Sequence, residues 1–97
     1  VIYYYGSIIR EDYVAMDKLP KGSFAVGLRM VTKALEANGA SRVYIAEDAD
    51  LFIKNRIRSL CVQRGVPVQD VRSMKELGTA CGIEVGAATA AILKERA

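Results

Sequence analysis

The residues best suited to chemistry fall in separate clusters along the chain. The first is Gly27-Leu28-Arg29-Met30-Val31-Thr32-Lys33, where a β-forming run gives way to a helical one. A glycine there leaves free amides at a helix N-terminus, and those amides attract an anion such as phosphate. Arg29 and Lys33 are one helical turn apart and share a face, opposite Leu28, Val31 and Leu35. The plainer alternative is a solvated basic face beside a packing glycine, since one glycine falls short of a Walker or Rossmann fingerprint. The second cluster is Glu47, Asp48 and Asp50. Carboxylates at the carboxyl end of a strand can hold magnesium, or Asp50 can simply cap the next helix. The third is Ile83-Glu84-Val85, set between Gly82 and Gly86. Apolar residues on such a tip can cover an unstacked base or dock on a partner, or fold back into the core.

Other chemistry is excluded by composition. The chain has no histidine. Histidine-based acid–base catalysis, Ser-His and Cys-His nucleophile pairs and most zinc sites go with it. Cys61 and Cys81 form no C-x-x-C pattern and read as buried thiols in a reduced, cytoplasmic setting. A magnesium-dependent, nucleotide-handling enzyme built on Asp48 and Asp50 would lack a phosphate loop. The expectation is therefore no catalytic residue, no metal and no cofactor. The net charge is +3, from 14 Lys+Arg against 11 Asp+Glu, a bias that admits nucleic acid as a partner without requiring it.

The elements that must position these clusters follow from length and periodicity. With 97 residues and 52% hydrophobic content, the chain supports one domain with one core. No apolar run approaches the ~18 residues of a membrane span. Residues 1–15, opening Val1-Ile-Tyr-Tyr-Tyr5, read as an N-terminal extension, an extra edge strand or loosely packed arm, before a domain over residues 16–97 that starts at Met16. Asp12–Leu19 suits a short helix closed by Pro20 and Gly22. Ser23–Val26 reads as a buried-type strand. A helix is expected over Leu28–Asn38, with Leu28, Val31, Ala34 and Leu35 inward and Gly39 as its stop. Arg42–Ala46 is a strand apolar on both faces, as in a sheet covered by helices. A helix over Leu51–Arg64 is expected, capped by Asp50. It turns Ile53, Ile57, Leu60 and Cys61 inward and Lys54, Arg58 and Arg64 outward, with Gly65 and Pro67 as its stop. Val66–Val71 is the next strand. Ser73 caps a short helix, with Glu76 at the capping-box position, Met74, Leu77 and Cys81 on one face and Gly82 as the stop. Val85–Leu93 is divided between helix, by its alanines, and strand, by Ile92-Leu93. Strands alternating with helices indicate an α/β sandwich.

The run Ser73-Met-Lys-Glu-Leu-Gly through Ala80-Cys-Gly-Ile-Glu-Val-Gly-Ala-Ala88, with Ala46-Glu-Asp-Ala-Asp50 and Lys33-Ala-Leu35, resembles the L-seven-Ae / L-thirty-e ribosomal protein family, most of all its small stand-alone bacterial members. The resemblance covers about residues 16–93, and Gly-Ile-Glu-Val-Gly-Ala-Ala is its specific part. It implies a three-layer α/β/α sandwich around a four-stranded mixed sheet, with the alanine-rich segment as the last strand. It also implies a non-catalytic, cytoplasmic protein whose partner is structured RNA of the kink-turn type, sharply bent with tandem G·A pairs and an extruded base, in ribosomal RNA or the ribosome; the sequence is silent on oligomeric state, with a monomer favoured.

By this resemblance the RNA-binding positions are Gly27, Arg29, Met30 and Lys33 at the helix start and Ile83, Glu84 and Val85 on the loop. Lys75, on the next helix, is expected to add a peripheral phosphate contact. The chain departs from the family pattern in places. Met30 stands where a polar residue usually reads guanine edges, and a thioether is a poor substitute for an amide. Arg29 replaces asparagine or lysine, and Leu28 replaces threonine. Leu51 stands in place of a frequent proline. An alternative reading follows from Met30: with Ile83 and Val85 it would make an apolar patch that docks on protein, as in a ribosome-associated assembly module.

Overall fold

A computed structural model of the protein describes residues 23–94. The 1–15 extension and the Asp12–Leu19 helix expected from sequence lie outside these residues. The order of elements is β1 (Phe24–Val26), α1 (Leu28–Glu36), β2 (Ala40–Ala46), α2 (Leu51–Arg64), β3 (Val68–Val71), α3 (Met74–Cys81) and β4 (Thr89–Leu93). The strands form one mixed sheet in the order β1-β4-β2-β3. β4 runs antiparallel to both β1 and β2, while β3 is parallel to β2.

Side chains alternate across the sheet and build a core on each face. Val43 and Ile45 of β2 join Val31, Leu35, Ile57, Cys61 and Ala91 beneath α1 and α2. Tyr44 and Ala46, their neighbours in sequence, join Leu77, Ala80, Cys81 and Ala90 beneath α3. This is the three-layer α/β/α arrangement. The alanines of the last segment explain its state: as a central strand, β4 must admit helices on both sides. Its Ala90 and Ala91 are fully buried, one on each face. Thr89, also fully buried, donates its hydroxyl to the Tyr44 carbonyl at 2.7 Å, satisfying the polar atom inside the sheet.

Several boundaries differ from the periodic reading. α1 ends at Glu36, and the left-handed residue there is Asn38 (φ 57), not Gly39. The Gly39 amide donates to the Ala34 carbonyl at 2.8 Å, closing the helix end from just beyond it. β2 starts earlier than Arg42, because Ala40 pairs with Leu93 across an irregularity between Ala40 and Arg42. β3 starts later than Val66, after Pro67, which has no amide to donate to a ladder. β4 begins at Thr89 rather than Val85, and residues 82–88 form the loop.

Candidate nucleic-acid interface

Strand directions gather the candidate residues at one rim. The C-terminal ends of β1, β2 and β3 and the first residue of β4 lie on the same edge of the sheet, so α1, α2 and α3 all start there. Each start concentrates partial positive charge on unsatisfied amides. At α2, Asp50 Oδ1 accepts from the Phe52 amide at 2.8 Å. At α3, Ser73 Oγ accepts from the Glu76 amide at 3.0 Å and Asp48 Oδ1 from the Met74 amide at 2.8 Å. α1 alone among these has no side-chain cap, and its first turn carries no acidic residue. Its N-cap is Gly27 at φ 94, ψ 161, a region open essentially to glycine only. The amides of its first turn are therefore left for an external anion.

Arg29, Met30 and Lys33 are exposed on the outer face of α1, while Val31 and Leu35 are fully buried beneath them. Among the described residues, the ion pairs join Lys54 to Glu47 and Arg58 to Asp70, leaving Arg29 and Lys33 with none. Lys75 is exposed on the first turn of α3, at the same rim.

The apolar loop reaches this helix start through the sheet. The Gly27 amide donates to the Thr89 carbonyl at 2.9 Å, one step beyond the Val26–Ala90 pairing. The end of the 82–88 loop is thereby tied to the residue that opens α1. From Gly82 the loop runs back along α3: the Ile83 amide donates to the Gly78 carbonyl and the Ala87 amide to the Met74 carbonyl, both at 3.0 Å. Its tip faces solvent rather than the core, with Val85 70% and Ile83 37% exposed, and Glu84 exposed between them. Met30 is 52% exposed. The arrangement offers a basic, amide-rich helix start for phosphate and an apolar tip able to cover a flat ring.

The carboxylate cluster takes the structural role: Asp50 and Asp48 serve as caps, and Glu47 pairs with Lys54. Arg58 and Arg64, expected to face outward, are exposed but engaged, with Asp70 and the Asn38 side chain. Sequence reasoning missed the cross-element cap by Asp48 on α3, and it missed Gly78. A glycine inside a short, otherwise well-signalled helix was the available clue, because it costs about 1 kcal/mol there against alanine. Leu51, Phe52 and Val62 are exposed on α2 as well.

Comparisons with known proteins agree with this architecture. A family model described as the ribosomal protein L7Ae/L30e/S12e/Gadd45 family matches residues 13–97. The RNA-binding protein YbxF of Geobacillus stearothermophilus is 43% identical over 76 residues, covering 78% of this chain and 93% of that one. An RNA-binding protein of Bacillus pumilus is 38% identical over 81 residues, covering 82% of this chain and 99% of its own. Among solved structures, the Giardia lamblia 15.5kD RNA binding protein superposes with a TM-score of 0.70 at 32% identity, covering 74% of this chain and 61% of that one. A Bacillus halodurans protein of unknown function shares the fold, with a TM-score of 0.68 at 22% identity over 73% of this chain and 71% of its own. The chain belongs to the ribosomal protein L7Ae/L30e/S12e/Gadd45 family.

Proposed function

We propose that the protein binds RNA, and that its target is a sharply bent, kink-turn-type helix with an extruded base, in ribosomal RNA or another structured RNA of the cytoplasm. The observation that carries the reading is the Gly27–Thr89 hydrogen bond, which sets the uncapped basic start of α1 beside the apolar loop. Relatives with 38–43% identity are named RNA-binding proteins. In this reading Arg29, Lys33 and the amides after Gly27 hold phosphates at the bend, and Lys75 adds a peripheral contact. Ile83 and Val85 cover the extruded base and exclude water from it. Glu84 accepts a hydrogen bond or orients the tip. Calorimetric titration against a kink-turn and a straight duplex of equal length tests it. Tighter binding to the kink-turn is expected, and equal or absent binding to both would sink kink-turn recognition.

A second reading has its own observation. Met30, Ile83 and Val85 are all exposed, and a thioether reads guanine poorly. The same surface then docks on protein, within an assembly such as the ribosome. A partner that stays bound in pull-downs after nuclease treatment favours this reading over the first.

A further inference from the structure

At its C-terminal end the loop is anchored by the buried Ala87 side chain, which joins the core beneath α3. It lies with its backbone against α3, and glycines on both sides make that approach possible. Gly78 sits inside α3 with an ordinary helical backbone, where alanine would be the better helix former by about 1 kcal/mol. Space, not conformation, excludes the methyl group. A Cβ on Gly78 would overlap the Val85 carbonyl oxygen and stand 3.0 Å from the Val85 carbonyl carbon and 3.1 Å from Gly86 Cα. All of these are backbone atoms and cannot swing aside. Gly86 meets the helix in return: a Cβ there would lie 3.1 Å from Met74 Cβ and 3.3 Å from its carbonyl carbon and oxygen. Gly86 is not in the left-handed region, so alanine is conformationally allowed.

The same helix residues hold the loop's ends, through the Ile83 amide on Gly78 and the Ala87 amide on Met74. Asp48 anchors the Met74 amide to the loop after β2. With its backbone pressed on α3, the tip turns Val85 outward, leaving it 70% exposed. We propose that Gly78 and Gly86 are positioning residues: their missing side chains set the height and angle at which Ile83 and Val85 meet a single unstacked base. The assignment rests on the RNA-binding reading above and names the device that gives that site its shape.

The test is a graded pair, Gly78→Ala and Gly86→Ala, with Thr79→Ala as an exposed control on the same helix. In the free protein, amide hydrogen exchange at Ile83 and Ala87 is expected to speed up strongly in Gly78→Ala and moderately in Gly86→Ala, with Thr79→Ala at wild-type rates. Binding to an RNA carrying one extruded base is expected to weaken about ten-fold in Gly78→Ala, the scale of removing the cover from one base, and by less in Gly86→Ala. Affinity for a straight duplex and the salt dependence of binding stay at wild-type values, because the phosphate contacts belong to α1. A helix merely destabilised by mutation would lower both affinities together.

Should Gly78→Ala fail to fold, Gly86→Ala carries the test, since its Cβ needs only a few tenths of an ångström. Wild-type protection at both amides in the folded variants overturns the assignment. So does a displaced loop that leaves extruded-base affinity unchanged. Wild-type protein that binds both RNAs equally overturns the RNA reading instead, and the exchange rates then judge the positioning role alone.

Discussion

In the proposed RNA reading Arg29 and Lys33 would do the same physical job from adjacent turns, and their effect is expected to be electrostatic rather than sequence-reading. Lys33→Ala should weaken binding to every RNA tested. The slope of log affinity against log salt should fall by roughly 0.7–0.9 for each phosphate that the variant leaves unneutralised, as salt titrations of wild type and variant will show. Val85→Asp acts differently. The side chain is exposed, so the fold and melting temperature should hold. Covering a base with a carboxylate forfeits about 1–3 kcal/mol, read as a selective loss for RNA with an extruded base. Met30 separates the two functional readings. An amide restores the donor and acceptor that a thioether lacks. Met30→Gln should therefore raise discrimination for a kink-turn with G·A pairs over the same RNA with Watson–Crick pairs, by about 1 kcal/mol or more. Unchanged discrimination in that titration would favour the protein-docking reading.

At the level of the element, the local signals in this chain are strong where a side chain acts on its own helix. Ser73 caps α3 and Asp50 caps α2 at the positions their sequence spacing implies, and Gly65 and Gly82 stop these helices in the left-handed conformation. Both helices could be bounded from sequence because caps and stops act over three or four residues. Ser73→Ala is expected to cost about 1 kcal/mol, a fall of several degrees in melting temperature for a domain of this size, without altering the sheet. Elements whose state depends on distant partners were less legible. The segment after Gly86 has helical composition and becomes a strand because its small residues fit between two layers of helices. The mid-helix Gly78 weakens α3 by propensity, and its reason lies in the loop that packs over it.

For the molecule as a whole, the two-sided core places Cys61 at 1% exposure and Cys81 at 8%, both free. Burial pushes the Cys61 thiol from 9.0 up to about 11, with Arg58 pulling weakly the other way, and raises Cys81 as well. A thiol that ionises later in the folded chain than in the unfolded one favours unfolding as the solution becomes alkaline. Stability is thus intact below about pH 9 and falls toward pH 11, by roughly 2–3 kcal/mol for Cys61 alone. Tyr44, raised by burial against the pull of Arg42, adds to the fall at the alkaline end. Urea titrations at pH 8 and pH 10.5 measure this. Cys61→Ala, although less stable at pH 8 because of the cavity it leaves, should lose less between the two.

Taken alone, the sequence determined the nature of the parts: an α/β chain without histidine chemistry, a basic helix start after Gly27, a capped helix before an apolar loop, and a family resemblance carried by residues 73–88. These follow from composition and from spacings of three or four residues, which a linear reading can see. The tertiary structure decided that the parts gather at one rim of the sheet. β4 had to enter the sheet between β1 and β2 before Thr89 could meet Gly27 and bring the loop to the helix start. It also decided that Asp48 caps α3 from the loop after β2, and that the loop's apolar tip faces solvent. Each of these depends on residues far apart in the chain, whose approach is set by the packing of two faces of one sheet and by no local periodicity.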